Sequence, residues 1–242
     1  MEELQNLKEQ YKQEKKEIRK KRKALKKERI RLINTTPKRG VLEEIGNAVT
    51  HGVGALLGIL GLILLLLKSD TNLKIMASIF YGVSIFIMML SSCLYHAFKA
   101  DSNVKRVFRR FDYIGIYLLI GGTFSPIFLV YQGDLFGIIL FIIQWTAIIV
   151  GIIFVSIYGP VRVKILNFIL YFVIGWSGLM FIPSFIKNNI QLLYWILIGG
   201  VAYTLGMIPF TMKNSKVAHF IWHFFVLIGA ALHFIGIYIL IY

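Results

Sequence analysis

Cysteine occurs once in the 242 residues, at Cys93 inside an apolar run, which excludes an intramolecular disulfide and a thiolate metal cluster. Charge is scarce: 16% of residues are Asp, Glu, Lys or Arg, against about a quarter in soluble domains. Acidic residues are rarer still, 12 against 27 Lys and Arg, for a formal net charge of +15. Familiar chemical motifs are missing as well. There is no Gly-rich phosphate loop, no G-x-S-x-G elbow and no H-E-x-x-H pair, so none of the chemistries those motifs carry is indicated. The amino terminus is charged and shows no apolar core with a small-residue cleavage site. No cleavable signal peptide is expected, and the first apolar segment would act as an uncleaved anchor.

What is abundant is apolar residues, 57% of the chain, with a mean hydropathy of +0.70. They fall in long runs, each able to cross a hydrocarbon core that takes about 20 helical residues. Seven spans are predicted, near 48–67, 74–97, 112–131, 135–157, 165–185, 190–211 and 217–241. The fifth is interrupted by Gly175, Gly178 and Pro183. The expected fold is an all-α, multi-pass membrane protein, a seven-transmembrane helix bundle over 41–242. There is no internal repeat and no pair of broken helices to suggest a transporter of inverted halves.

Residues 1–40 form a separate, strongly basic stretch that reads as a helical tail. Leu4, Tyr11, Ile18, Leu25 and Leu32 recur every seven residues, but the matching positions Leu7, Glu14, Lys21 and Glu28 are only partly apolar, which is half of a coiled-coil seam. A solvated or membrane-surface helix follows, with anionic lipid headgroups rather than nucleic acid as its partner. Basic residues also set the orientation. Lys99, Lys105, Arg106, Arg109 and Arg110 follow the second span, Arg162 and Lys164 the fourth, and Lys213 and Lys216 the sixth. The alternate loops hold only Lys68 and Lys74, then none around Asp134, then Lys187. By the positive-inside rule the amino terminus is cytoplasmic and the carboxyl terminus outside.

Orientation turns position into depth. His219 and His223 lie one helical turn apart on one face, within roughly 10 Å of the cytoplasmic boundary. His96 and, one turn deeper, Ser92 lie at the cytoplasmic end of the second span; Asp112 opens the third; Glu44, Asn47, Thr50 and His51 stand at the entrance to the first. Polar residues of four helices therefore share one level. Three histidines offer three neutral nitrogens and leave one position open, the pattern of a catalytic zinc site. Asp112 could then hold and deprotonate the activated water, and Ser92 could donate to that water or to a carbonyl. The alternatives are a loop ion pair of Asp112 with Arg109 or Arg110, and helix back-bonding or packing for Ser92. His233, about 15 Å further along the last span, cannot share the ion and reads as a hydrogen-bonded core histidine. Cys93 reads as a small packing residue.

The ordered set Glu44-x-x-Asn47-x-x-Thr50-His51, Ser92-x-x-x-His96, Asp112 and His219-x-x-x-His223 resembles the hemolysin III family, the bacterial branch of the progestin and adipoQ receptor family. The resemblance covers about 43–242 and leaves out the tail. It implies a multi-pass protein of the bacterial plasma membrane with zinc held by His96, His219 and His223, Asp112 holding its water, and Ser92 close by. Eukaryotic relatives of that family are similar to alkaline ceramidases, which implies hydrolysis of a lipid amide or ester and a role in membrane-lipid homeostasis. Two other readings stand beside it. One is a non-enzymatic sensor or receptor with structural zinc. The other is a pore-forming cytolysin, against which the sequence shows no charged, water-lining helix face.

Overall fold

The computed structural model describes residues 1–33, 35–212, 215 and 217–242, so the predicted topogenic residues Lys213 and Lys216 lie outside the described residues. The chain divides into two compact units, Met1–Thr35 and Thr36–Tyr242. The first is one helix, α1 (Glu2–Ile33), with Glu2 and Glu3 in its first turn, where acidic side chains favour the positive end of the helix dipole. Its apolar residues Leu4, Leu7, Tyr11, Ile18, Leu25 and Leu32 are all exposed.

The second unit is helical throughout, with no strand among the described residues. Seven of its segments are long and apolar enough to cross a membrane. They are α2 (Val41–Leu67), α3 (Asn72–Ala97), α4 (Asn103–Pro126) with its extension to Gln132, α5 (Leu135–Tyr158), the composite of α6 (Lys164–Gly175) and α7 (Ile182–Asn188), α8 (Ile190–Thr211) and α9 (Ala218–Leu240). Large apolar side chains such as Leu56, Ile63, Ile142, Ile169, Ile198 and Ile228 point outward, as lipid-facing surfaces do. This is an integral, multi-pass membrane protein.

Two helices begin well before the apolar runs that mark them in the sequence. α2 starts at Val41 rather than near 48, with Glu43 and Glu44 in its first turn. α4 starts at Asn103 rather than near 112, where the Ser102 hydroxyl accepts from the Lys105 backbone N–H. Hydropathy locates the part of a helix that suits lipid; the acidic first turn of α2 suits the helix dipole and the Ser102 cap starts α4, so both helices extend beyond their apolar runs. Asp112 is therefore in the third turn of α4 and not at its opening.

The fifth span breaks where the glycines and proline stand: α6 ends at Gly175, a 3₁₀ turn covers Ser177–Phe181, and α7 resumes with Pro183 in its first turn. A second irregularity lies in the third span, where Pro126 is followed by a π-helical turn, Ile127–Gln132, ended by Gly133 at φ 63°. Proline cannot donate the backbone bond of its turn, and the wider turn accommodates the loss.

Close helix approach rests on small residues. A Cβ on Gly82 of α3 would come within 2.9 Å of the Leu62 Cα of α2, and one on Gly122 of α4 within 2.5 Å of the Ser84 Cβ of α3. α2, α3 and α4 thus pack side by side, α8 packs on α9, and α9 returns to α2. That closure brings the start of α9 to the end of α3.

Candidate metal centre

His96 stands in the last turn of α3, fully buried, and His219 and His223 in the first two turns of α9. The Nε2 atoms of all three face one another: His219 Nε2 is 3.3 Å from His96 Nε2 and 3.3 Å from His223 Nε2. One ligand atom from each residue lies within 4.8 Å of the others. Hydrogen bonding between the rings cannot satisfy this arrangement. A single imidazole nitrogen either donates or accepts, so His219 Nε2 can match only one of its two neighbours. A cation at the centre satisfies all three.

The tautomer of His96 is set from behind. Its Nδ1–H donates to Glu44 Oε2 of α2 at 2.5 Å, which leaves Nε2 with the bare lone pair on the inner side. The Asn47 amide is 3.4 Å from the same Nδ1. Because Nδ1 carries the proton, the amide oxygen rather than its nitrogen belongs on that side. The other Glu44 oxygen accepts from Lys105 Nζ at 2.8 Å, and the buried ammonium also donates to the Phe98 carbonyl at 3.0 Å. One lysine thus closes the open carboxyl end of α3 and neutralises the carboxylate that orients His96. His51, buried on α2, stacks on His223 with ring centroids 3.8 Å apart.

Asp112 is half-buried on α4 and is not one of the converging ligands; it lies beside His96, with Arg39 and Arg109 on its charged side and the Ser92 hydroxyl facing it. Ser92 Oγ is buried with no well-formed hydrogen bond among the described residues, and so does not back-bond to its own helix. His233 lies apart, with Nε2 bonded to the Ile196 carbonyl at 3.0 Å. Cys93 rests against Gly52, whose added Cβ would meet Sγ at 3.3 Å.

Comparison with known proteins places this arrangement in a family. The sequence model of proteins described as "Haemolysin-III related" matches residues 40–234. The chain belongs to the haemolysin III family. It is 37% identical over 198 residues to "Hemolysin-3" of Bacillus cereus, covering 80% of this chain and 90% of that protein. It is 32% identical over 198 residues to "Hemolysin-3 homolog" of Bacillus subtilis (strain 168), covering 80% and 92%. "Monocyte to macrophage differentiation factor" of Homo sapiens is 27% identical over 206 residues, covering 83% and 85%.

In this haemolysin III protein the predicted histidines meet, and Ser92 and Asp112 adjoin them. Sequence reasoning left Glu44, Asn47, His51 and Lys105 without roles. The first three were legible in principle, since spacings of three and four put them on one face of α2. Lys105 was not, because a cation ahead of an apolar run reads as a loop residue. Beside the centre a cavity of about 180 Å³ runs between α3, α4, α6, α8 and α9. The three histidines are not among its walls, but Tyr113 and Trp222, the sequence neighbours of Asp112 and His223, are. Its lining is otherwise mostly apolar, with Ile116, Ile120, Phe168, Phe172 and Met207 among the walls.

Proposed function

We propose that the protein is a zinc-dependent hydrolase acting on a lipid amide or ester within the membrane, with a role in membrane-lipid homeostasis. One observation carries the metal: the two 3.3 Å Nε2–Nε2 separations. Nitrogens at 2.0–2.1 Å from a tetrahedral zinc lie about 3.3–3.4 Å apart. His96, His219 and His223 would hold the ion, with Glu44 fixing the His96 tautomer, as outer carboxylates do for histidine ligands. When bound, zinc supplies a Lewis acid for a carbonyl and makes water acidic near neutral pH.

The remaining work falls to this chain's own groups. Asp112 would take a proton from attacking water and return it to the leaving nitrogen or oxygen, while Ser92 would orient the carboxylate or donate to the carbonyl. Water adds to the carbonyl carbon, the C–N or C–O bond breaks, and the fatty acid departs from an amine or alcohol. The cavity supports a lipid substrate by offering its chain an apolar place next to these groups. Incubation of purified protein with lipid amides should release fatty acid, and Asp112→Ala should abolish the release. Release that persists after replacement of all three histidines by alanine overturns the proposal.

A second reading has its own support. The three nitrogens come only from α3 and α9, which scarcely touch each other and pack instead through α2. Zinc bound there would clamp the two helices, as a structural ion does. On that reading chelation lowers thermal stability and no lipid is turned over.

A further inference from the structure

The end of the cavity remote from the histidines is polar without any charge. His233 on α9, Thr123 on α4 and Tyr203 on α8 all line it, and Tyr81 of α3 lies just behind, towards Thr123 and Tyr203. His233 is about 15 Å beyond His223 along α9. Tyr81, Thr123 and His233 are buried at 0%, 3% and 5% exposure.

The hydrogen inventory of this cluster is incomplete on both sides. His233 Nε2 bonds to a backbone carbonyl, which only accepts, so Nε2 carries the ring proton and Nδ1 is a bare acceptor. Nδ1 has no partner among the described residues, and neither has the Tyr203 hydroxyl, while the Tyr81 hydroxyl faces Thr123. Thr123 spends its hydroxyl proton on the Leu119 carbonyl at 2.8 Å and keeps only acceptor capacity. The His233 ring is locked in place: it lies so close over Gly199 that a methyl group there would collide with it. Such buried, unpaired groups are costly in a membrane interior and rare enough to need a reason.

The complement they describe is a neutral group that both donates and accepts. An anion would face the Nδ1 lone pair, and the one charged residue lining the cavity among the described residues, Lys164, belongs to the opposite end. We propose that this cluster recognises an aliphatic hydroxyl, so that the chain occupying the cavity carries an alcohol at the end away from the histidine triad. The hydroxyl donates to His233 Nδ1 and accepts from a tyrosine O–H, while the apolar walls take the methylenes. The inference rests on the lipid-binding part of the reading above and not on turnover.

The test uses two probes without a hydrolysable bond, dodecanol and dodecane, on the full-length protein in nanodiscs. Scintillation proximity binding of labelled dodecanol, competed with each, gives their relative affinities. The alcohol should bind about tenfold tighter, the value of roughly one satisfied buried polar group. His233→Phe and, independently, Tyr203→Phe should bring the ratio close to one while dodecane binding persists; the second variant serves where the first does not fold. Equal binding of both probes to the unaltered protein, as when water alone fills the cluster, overturns this inference and leaves lipid binding intact. A preference that survives both substitutions also overturns it, because the hydroxyl then seeks the metal centre instead. Binding of neither probe overturns it together with the lipid-binding reading.

Discussion

At the scale of single residues, Glu44 has two separable tasks. It holds the Nδ1 proton of His96 and it neutralises Lys105, which is only 1% exposed. Glu44→Ala should therefore cost about 3 kcal/mol of stability by stranding a buried cation. It should also weaken metal binding by roughly 10–100-fold through loss of the outer carboxylate. Adding Lys105→Met should restore most of the stability, read by thermal unfolding, and none of the metal affinity, read by competition with a chelator. His96→Ala should remove the ion altogether, seen as loss of metal from purified protein. Of this arrangement the histidine pair was legible in the sequence, because spacing of four on a helix is a local property. The Glu44–His96 bond joins residues 52 apart and depends on α2 lying against α3, which no local pattern expresses. Lys105 was misleading in a different way, since the same charge that marks the side of a loop is here folded inward.

For whole elements, the apolar runs located all seven spans but not the ends of their helices. α2 and α4 start with charged turns that hydropathy counts as loop. The break in the fifth span was legible from Gly175, Gly178 and Pro183. The π-turn after Pro126 was not, because the run around it is as apolar as its neighbours. Contact between α3 and α4 is set by Gly122, where a Cβ would meet Ser84 Cβ at 2.5 Å and the Phe80 carbonyl at 2.9 Å. Backbone and Cβ atoms cannot rotate aside, so Gly122→Val should destabilise by about 1–3 kcal/mol. Gly175→Ala, whose new atom would find its nearest neighbour at 4.0 Å, should leave the unfolding temperature unchanged or slightly higher.

For the molecule as a whole, seven crossings put the two ends of the membrane unit on opposite faces. With the basic loops facing the cytoplasm, the carboxyl terminus is proposed to lie outside. Alkaline phosphatase, active only outside the cytoplasm, should accordingly be active when fused after Tyr242 and inactive when fused after Ala100. A fully active fusion at Ala100 would reverse the orientation. Removal of metal should lower the unfolding temperature, because the three nitrogens tie α3 to α9 across α2. The same geometry has a consequence for how the chain is made. His96 is threaded into the bilayer long before its partner His219, which follows 123 residues later, roughly ten seconds at ordinary elongation rates. During that interval four further spans are inserted while His96 rests only on Glu44 and Asn47 of α2. A nascent chain interrupted anywhere before the seventh span has one of the three nitrogens and cannot retain the ion. On the proposed reading, metal capture would wait until the start of the seventh span has been made, so an ion-loaded molecule would be one in which that span has reached α3.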